Sequence, residues 1–193
     1  IDAGSTTAKV VAIDFDGKDF DFPVLTGSES EKAFDISELR KKTGLVTLDY
    51  GYLNTGSTKS NITFVDGEQG ILRYRGYAIE DLAEKATFPE TAWLLIYGEL
   101  PTEEQLTHFR KMLTENALIH ENLLHFFREM PPSAHPMGIL SSIVNAVGLF
   151  TPRFYDDEDK EDVFNLTTAG LISKIRTIAA FTYKASIGEP FVY

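Results

Sequence analysis

Cysteine is absent from this chain of 193 residues, and histidine occurs only four times. The lack of cysteine excludes disulfide bonds, thiolate metal ligands and cysteine nucleophiles, and it fits a cytoplasmic location. No apolar run approaches the roughly 20 residues that a membrane-spanning helix needs, so we expect no contact with a membrane. The nucleophile-elbow motif Gly-x-Ser-x-Gly and the phosphate-loop motif Gly-x-x-x-x-Gly-Lys-Ser/Thr are also missing. Their absence removes support for the two large classes of enzyme that use these motifs.

Positive charge is scarce. The chain carries 18 Lys and Arg against 29 Asp and Glu, which gives a formal net charge of -11. Charge of this sign repels nucleic acids and anionic membranes, so we expect neither as a partner. The acidic run Asp156-Asp157-Glu158-Asp159 could bind a cation, but its spacing does not match an EF-hand loop, and a solvated loop is the alternative.

The four histidines do not form a metal-binding pattern. A helical metal site requires two histidines three or four residues apart together with a carboxylate. No such pair exists among His108, His120, His125 and His135. We therefore predict no metal site and a structural role for these residues, with His108 exposed on a helix and the others near helix ends.

The first 76 residues are predicted to form a β-rich leader. Residues 9–25 alternate apolar and polar side chains around Asp16-Gly17, a pair that favours the positive φ angles of a tight hairpin turn. Further extended segments are predicted at 45–50, 61–65 and 71–75, because β-branched and aromatic residues are common there.

From Ile79 onward the apolar period changes from two to about 3.6, which predicts an architectural boundary near Gly76 and a helical region over 77–193. Helices are predicted to begin at residues that commonly cap or open them, namely Asp35, Pro89, Thr102 and Pro136. Gly44 and Gly98 are predicted to end helices. The last helix is predicted over about 163–185, and a charged loop precedes it.

The N-terminal residues Asp2-Ala3-Gly4-Ser5-Thr6-Thr7-Ala8-Lys9 are followed by VVAID. This stretch resembles the first phosphate loop of the sugar kinase and actin-like ATPases. The resemblance implies that small hydroxyl side chains at a hairpin turn contact ATP phosphates. That family also needs a second phosphate loop and an adenosine loop, and neither is found downstream. The alternative is a flexible lead into the hairpin that binds no nucleotide.

A longer series of motifs reads GLVTLDYGYLNTGSTKSNITFVDGEQGILRYRGYAIEDLA at 44–83, LLIYGELPT at 94–102, SAHPM at 133–137 and YKASIGEPF at 183–191. This series resembles the opening part of the citrate synthase family, and the β-rich leader before the helices further resembles its type II bacterial form. The resemblance implies a mainly α fold, in which a citrate synthase-like helical large domain, incomplete here, follows the small β-rich region of residues 1–76.

The resemblance also implies an acyltransferase that condenses acetyl-CoA with oxaloacetate and water, giving citrate and CoA at the entry to the tricarboxylic acid cycle. Acetyl-CoA is a substrate, so no cofactor is expected. The family's catalytic aspartate and histidines, and its oxaloacetate-binding arginines, are expected beyond residue 193. We therefore assign no catalytic residue, and we expect a fragment of a longer protein that is inactive alone.

Three further expectations follow from the same resemblance. Similar enzymes are commonly hexamers built from dimers, so a homo-oligomer, either dimer or hexamer, is implied. A methylcitrate synthase, which uses propionyl-CoA, is the alternative within the family. A non-catalytic assembly module is the alternative outside enzymes, because helices that normally pack on a missing half would expose apolar faces.

Type II relatives can also carry an allosteric NADH site, built partly from an Arg-His-Thr-Met stretch before an Ile-His-Glu motif. Here the stretch reads Glu115-Asn116-Ala117-Leu118, so an acid and an amide replace a cationic pair. Lys174 matches a remaining basic position and is the candidate allosteric residue, whereas Gly170 and Thr151 do not match their counterparts. We hypothesise that inhibition by NADH is weak or lost.

Overall fold

The computed structural model describes residues 9–150 and 160–193, with side chains in the last helix described from Val163 onward. The predicted phosphate-loop residues Ser5 and Thr6 and the acidic run at 156–159 lie outside the described residues. The chain divides into two compact units, one of Ile1–Thr87 with Leu94–Glu99 and the other of Phe88–Trp93 with Leu100–Tyr193.

The first unit begins with an antiparallel sheet of three strands. The strands are β1 (Val10–Phe15), β2 (Lys18–Thr26) and β3 (Lys32–Phe34), in the order β1-β2-β3. Asp16 and Gly17 connect β1 to β2 with φ angles of 55° and 69°, as a two-residue hairpin turn requires. The hairpin predicted from the Asp-Gly pair is confirmed.

A short helix, α1 (Leu39–Thr43), follows this sheet, and Gly44 ends it with a φ of 78°, as predicted. The prediction that Asp35 is the N-cap is wrong, because Glu38 occupies that position. The Asp35 carboxylate instead accepts a hydrogen bond from the backbone N–H of Ser37 at 2.8 Å. This local bond forms a turn that competes with helix formation, so the helix begins later.

A second antiparallel sheet contains β4 (Thr63–Asp66), β5 (Ile71–Tyr74) and β6 (Tyr77–Ala78). The strand predicted at 45–50 is wrong, since this segment is irregular and leads into a 3-10 turn at Tyr50–Tyr52. Leu45 is half-buried, but Val46, Leu48 and Tyr50 are exposed, with Leu48 at 80%. Strand preference depends on packing against neighbours, which these side chains lack.

Two helices come next, α2 (Ile79–Lys85) and α3 (Phe88–Tyr97). The division between the compact units falls inside α3, after Trp93. Gly98 ends α3 with a φ of 96°, as the sequence predicted.

The second unit adds four helices, α4 (Glu103–Glu115), α5 (Leu123–Glu129), α6 (Pro136–Leu149) and α7 (Lys160–Ser186). Thr102 caps α4 as predicted: its Oγ1 accepts from the Gln105 N–H at 3.3 Å, and the Gln105 Oε1 accepts from the Thr102 N–H at 2.8 Å. Pro136 is the first residue of α6, also as predicted. Within the described ranges, no helix is long and apolar enough to cross a bilayer.

The core of this unit is built from one side each of α5, α6 and α7. Phe127 and Phe181 pack edge to face at 5.9 Å, and the ring of Phe191, beyond α7, stacks on Phe181 at 4.9 Å. The buried cluster comprises Ile119, Leu123, Phe127, Ile139, Ile143, Ala146, Val147, Ile178 and Phe181. This packing fixes α7 against the segment that follows α4.

Candidate functional site

A cleft of about 350 Å³ lies in the helical unit where α4 ends beside α7. It is lined by Glu115, Asn116, Leu118, Ile119, His120, Leu123, Val147, Phe150 and Lys174. The structure therefore brings the candidate Lys174 together with the 115–120 stretch, although 58 residues separate Lys174 from Asn116. We call this feature the α4–α7 cleft.

Three side chains of α7 hold the end of α4. The side chains of Ser173, Lys174 and Thr177 donate hydrogen bonds to the carbonyl oxygens of Leu113, Asn116 and Ala117, respectively, the last two at 3.0 and 2.8 Å. Leu113 lies in the last turn of α4, where carbonyls have no partner within the helix, and Asn116 and Ala117 directly follow the helix, so these donors satisfy acceptors at its C-terminal end. We call Ser173, Lys174 and Thr177 the α7 clamp.

Lys174 is the charged member of the clamp. Burial lowers the pKa of its ammonium group below the ordinary value of 10.5. Its Nζ lies 3.0 Å from the Asn116 carbonyl oxygen, at the end of α4 where the helix dipole favours a cation. The charge of Lys174 is thus directed at the backbone of α4.

The opposite wall of the cleft is aromatic. The rings of His120 and Phe150 lie 4.9 Å apart, tilted by 34°. The Nδ1 atom of His120 accepts a hydrogen bond from the Asn122 N–H at 3.2 Å. Glu115 adds a carboxylate to the lining and forms an exposed ion pair with Lys111 at 3.8 Å. The described lining therefore carries charges of both signs.

The other residues that the sequence singled out lie elsewhere. Gly170 is buried in α7 and does not line the cleft, while Thr151 lies outside the described residues. His135 is the N-cap of α6, where its Nδ1 accepts from the Met137 N–H at 3.2 Å. Across the described ranges, no group of three or more His, Cys, Asp or Glu could hold a metal ion.

Sequence reasoning missed Ser173, Thr177 and Phe150. Ser173 and Thr177 are four residues apart, a spacing that places both on one face of a helix, and both are buried. Two hydroxyl residues at that spacing, among the apolar residues Leu171, Ile172, Ile175 and Ile178, could have indicated donors directed at a neighbouring segment. Phe150 offered no such indication, because a single aromatic residue at a helix end is commonly part of the core.

Comparison with solved structures defines the class of protein. The chain is similar to citrate synthase from Thermoplasma acidophilum, which was solved as a ternary complex with carboxymethyl coenzyme A and oxaloacetate. The TM-score is 0.67 and the sequence identity 24%, and the match covers 76% of this chain and 38% of that one. Citrate synthase from Thermotoga maritima gives a TM-score of 0.63 at 28% identity, covering 76% and 37% of the two chains. The mainly α fold predicted from the sequence is confirmed: it is the fold of these helical enzymes.

Sequence comparison then gives the family. Residues 51–193 match the family described as citrate synthase, C-terminal domain. Citrate synthase 1 of Mycobacterium tuberculosis is 43% identical over 187 residues, which cover 97% of this chain and 43% of the relative. The chain belongs to the citrate synthase family. It spans less than half the length of that relative.

Proposed function

We propose that this chain is part of a citrate synthase, an acyltransferase that condenses acetyl-CoA with oxaloacetate and water to give citrate and CoA. The observation that supports this most strongly is the 43% identity to the M. tuberculosis enzyme across 97% of the chain. The T. acidophilum complex with a coenzyme A derivative and oxaloacetate is consistent with the same two substrates.

The isolated chain is proposed to be inactive. Removal of a proton from the acetyl methyl group and polarisation of the carbonyls require acids and bases positioned around both substrates. The described histidines are placed otherwise: His135 caps α6, and His120 accepts from the backbone beside the α4–α7 cleft. The groups that perform the chemistry are expected beyond residue 193.

The test is release of CoA thiol from acetyl-CoA in the presence of oxaloacetate. The 193-residue chain is compared with a longer protein that contains it, and propionyl-CoA is assayed in parallel. We expect turnover only with the longer protein and faster turnover with acetyl-CoA. Activity of the short chain would refute its inactivity, and a preference for propionyl-CoA would favour a methylcitrate synthase.

We also propose that NADH inhibits the longer protein weakly or not at all. In the α4–α7 cleft the Lys174 ammonium already bonds the Asn116 carbonyl, and the Glu115 carboxylate repels the phosphates of a dinucleotide. The Glu115→Arg/Asn116→His double variant is expected to bind NADH more tightly, measured by nucleotide fluorescence. Glu104→Arg, which makes the same charge change in the first turn of α4, is the control. Tight NADH binding by the unaltered protein would contradict the proposal.

A homo-oligomer in the cytoplasm is the proposed state of the longer protein. Exposed apolar side chains on α7, with Phe164 at 53% and Tyr183 at 63%, support a role in association. The absence of cysteine supports the cytoplasm. Light scattering coupled to size exclusion gives the oligomeric state, and a monomeric longer protein would contradict it.

A further inference from the structure

A second cleft, of about 480 Å³, lies in the β-rich unit beside β4 and β5. Its lining is mainly polar and includes Ser28, Glu29, Ser60, Thr63, Arg73 and Arg75. We call it the arginine cleft, because two guanidinium groups from positions two residues apart reach the same space. It belongs to a different compact unit from the α4–α7 cleft and plays no part in the function proposed above.

Arg73 has donors without acceptors. A guanidinium group carries five N–H donors. The Nε atom of Arg73 is buried and has no partner among the described residues. Its Nη1 lies 3.5 Å from the Glu29 Oε1, which makes an ion pair rather than a hydrogen bond of normal length. Arg73 is therefore close to a carboxylate but poorly matched to it.

Arg75 is held in place more firmly. Its Nη2 donates to the Leu95 carbonyl at 3.0 Å, and its Nη1 donates to the Asn61 Oδ1 at 3.3 Å. The Nε atom is buried without a partner among the described residues, as in Arg73. A Cβ atom at Gly98 would lie 3.9 Å from the Arg75 Cζ, so α3 ends close beside the guanidinium. The charge of Arg75 is fixed at the cleft before any ligand binds.

The Nε atoms are closed to solvent as well as without a partner among the described residues, so a ligand in the cleft meets the terminal Nη groups. The Arg73 side chain is 40% exposed and makes no hydrogen bond with the described residues. Guanidinium groups match the geometry of oxyanions, which accept two parallel N–H bonds from one fork. We propose that the arginine cleft binds a compact oxyanion, a phosphate group, between Arg73 and Arg75. A dianion can meet both guanidinium groups once Glu29 has left Arg73, whereas a monocarboxylate would only take the place of Glu29.

Glu29 acts as an internal competitor in this arrangement. It lies in the connection between β2 and β3, and its side chain is 35% exposed, so it can leave the 3.5 Å contact with Arg73 when the anion enters. Glu31 also lines the cleft and opposes an anion. Neutralising Glu29 is therefore expected to strengthen anion binding, the opposite of the effect expected from removing Arg73.

The overall charge of the chain makes the proposal testable with a simple ion. A protein of net charge -11 repels anions in general, so saturable binding of a dianion requires a local site. Arg40 supplies a matched control, because it is an exposed arginine of the same unit, on α1, and does not line the cleft.

The experiment titrates the 193-residue chain with inorganic phosphate, and separately with methyl phosphate, while the arginine Nε–H resonances are followed by NMR. We expect saturable shifts of the Arg73 and Arg75 resonances in the unaltered chain. The affinity for phosphate should fall about tenfold in Arg73→Met, rise several-fold in Glu29→Gln and stay the same in Arg40→Met. Tighter binding of methyl phosphate would point to the phosphate group of a larger ligand, and equal binding to the free ion. Absence of saturable shifts in both the unaltered chain and Glu29→Gln, or equal loss in Arg40→Met, would overturn the proposal.

Discussion

Replacing Thr177 by valine tests whether the α7 clamp contributes to stability. Thr177 is 8% exposed, and its hydroxyl donates to the Ala117 carbonyl at 2.8 Å. Valine keeps the branched shape but removes the hydroxyl, so the Ala117 carbonyl loses this donor. Ala117 is half-buried, so leaving its carbonyl without this donor is expected to cost about 1 kcal/mol in the free energy of unfolding.

Thr182 provides a control for the same substitution in the same helix. It is 4% exposed, and its hydroxyl donates to the Ile178 carbonyl at 2.8 Å. That carbonyl lies four residues earlier in α7, so it also accepts the backbone N–H of residue 182. Thr182→Val therefore leaves no carbonyl unpaired and is expected to change the unfolding free energy by about 0.5 kcal/mol or less.

The assay is urea unfolding of the two variants and the unaltered chain, followed by circular dichroism. The change in apolar area and in helix preference is the same for both substitutions, so the difference between them isolates the bond from α7 to the end of α4. Equal destabilisation by Thr177→Val and Thr182→Val would refute the argument that the clamp satisfies the carbonyls of α4.

Two further predictions concern the same helices. Because burial lowers the pKa of Lys174, the unfolded chain binds more protons than the folded chain between that lowered pKa and 10.5. The unfolding free energy of the unaltered chain should therefore rise with pH across this window relative to that of Lys174→Met. A difference between the two urea unfolding free energies that does not change with pH would contradict this. Thr102→Ala removes the hydroxyl that accepts from the Gln105 N–H, while the bond from the backbone N–H of residue 102 to the Gln105 side chain remains. In the same urea assay this substitution should lower the unfolding free energy by about 1 kcal/mol, whereas Thr107→Ala, at an exposed position within α4, should have little effect.

Local sequence chemistry predicted the elements whose determinants are local. Asp16-Gly17 specifies a two-residue turn through its own φ angles, and Thr102 with Gln105 specifies a helix start through bonds within four residues. The same reasoning failed at Asp35, where a side chain that can cap a helix instead formed a turn of its own. It also failed at 45–50, where strand preference was not met by any strand pairing.

The candidate site could be predicted only in part. Family resemblance pointed to Lys174 and to the stretch beginning at Glu115, but it did not give the acceptor of the Lys174 ammonium, since the bond to Asn116 spans 58 residues of sequence. Likewise, no local pattern connects Arg73 with Glu29, which are close because the connection between β2 and β3 lies beside β5. Long-range pairs of this kind depend on packing, which local patterns do not encode.

The role of Lys174 can be separated into structural and ligand-binding parts. Its hydrogen bond to the end of α4 implies that Lys174→Met destabilises the helical unit even without any nucleotide, because the Asn116 carbonyl loses a charged donor. An ammonium group has three N–H donors, so Lys174 could bond a phosphate as well as the Asn116 carbonyl, and a nucleotide that binds only the folded chain would raise its unfolding free energy. Measuring the unfolding free energy of the unaltered chain with and without NADH therefore distinguishes the two roles. We expect no change, because the Glu115 carboxylate in the same cleft repels the phosphates. Stabilisation by NADH that is lost in Lys174→Met would show that the ammonium serves the ligand.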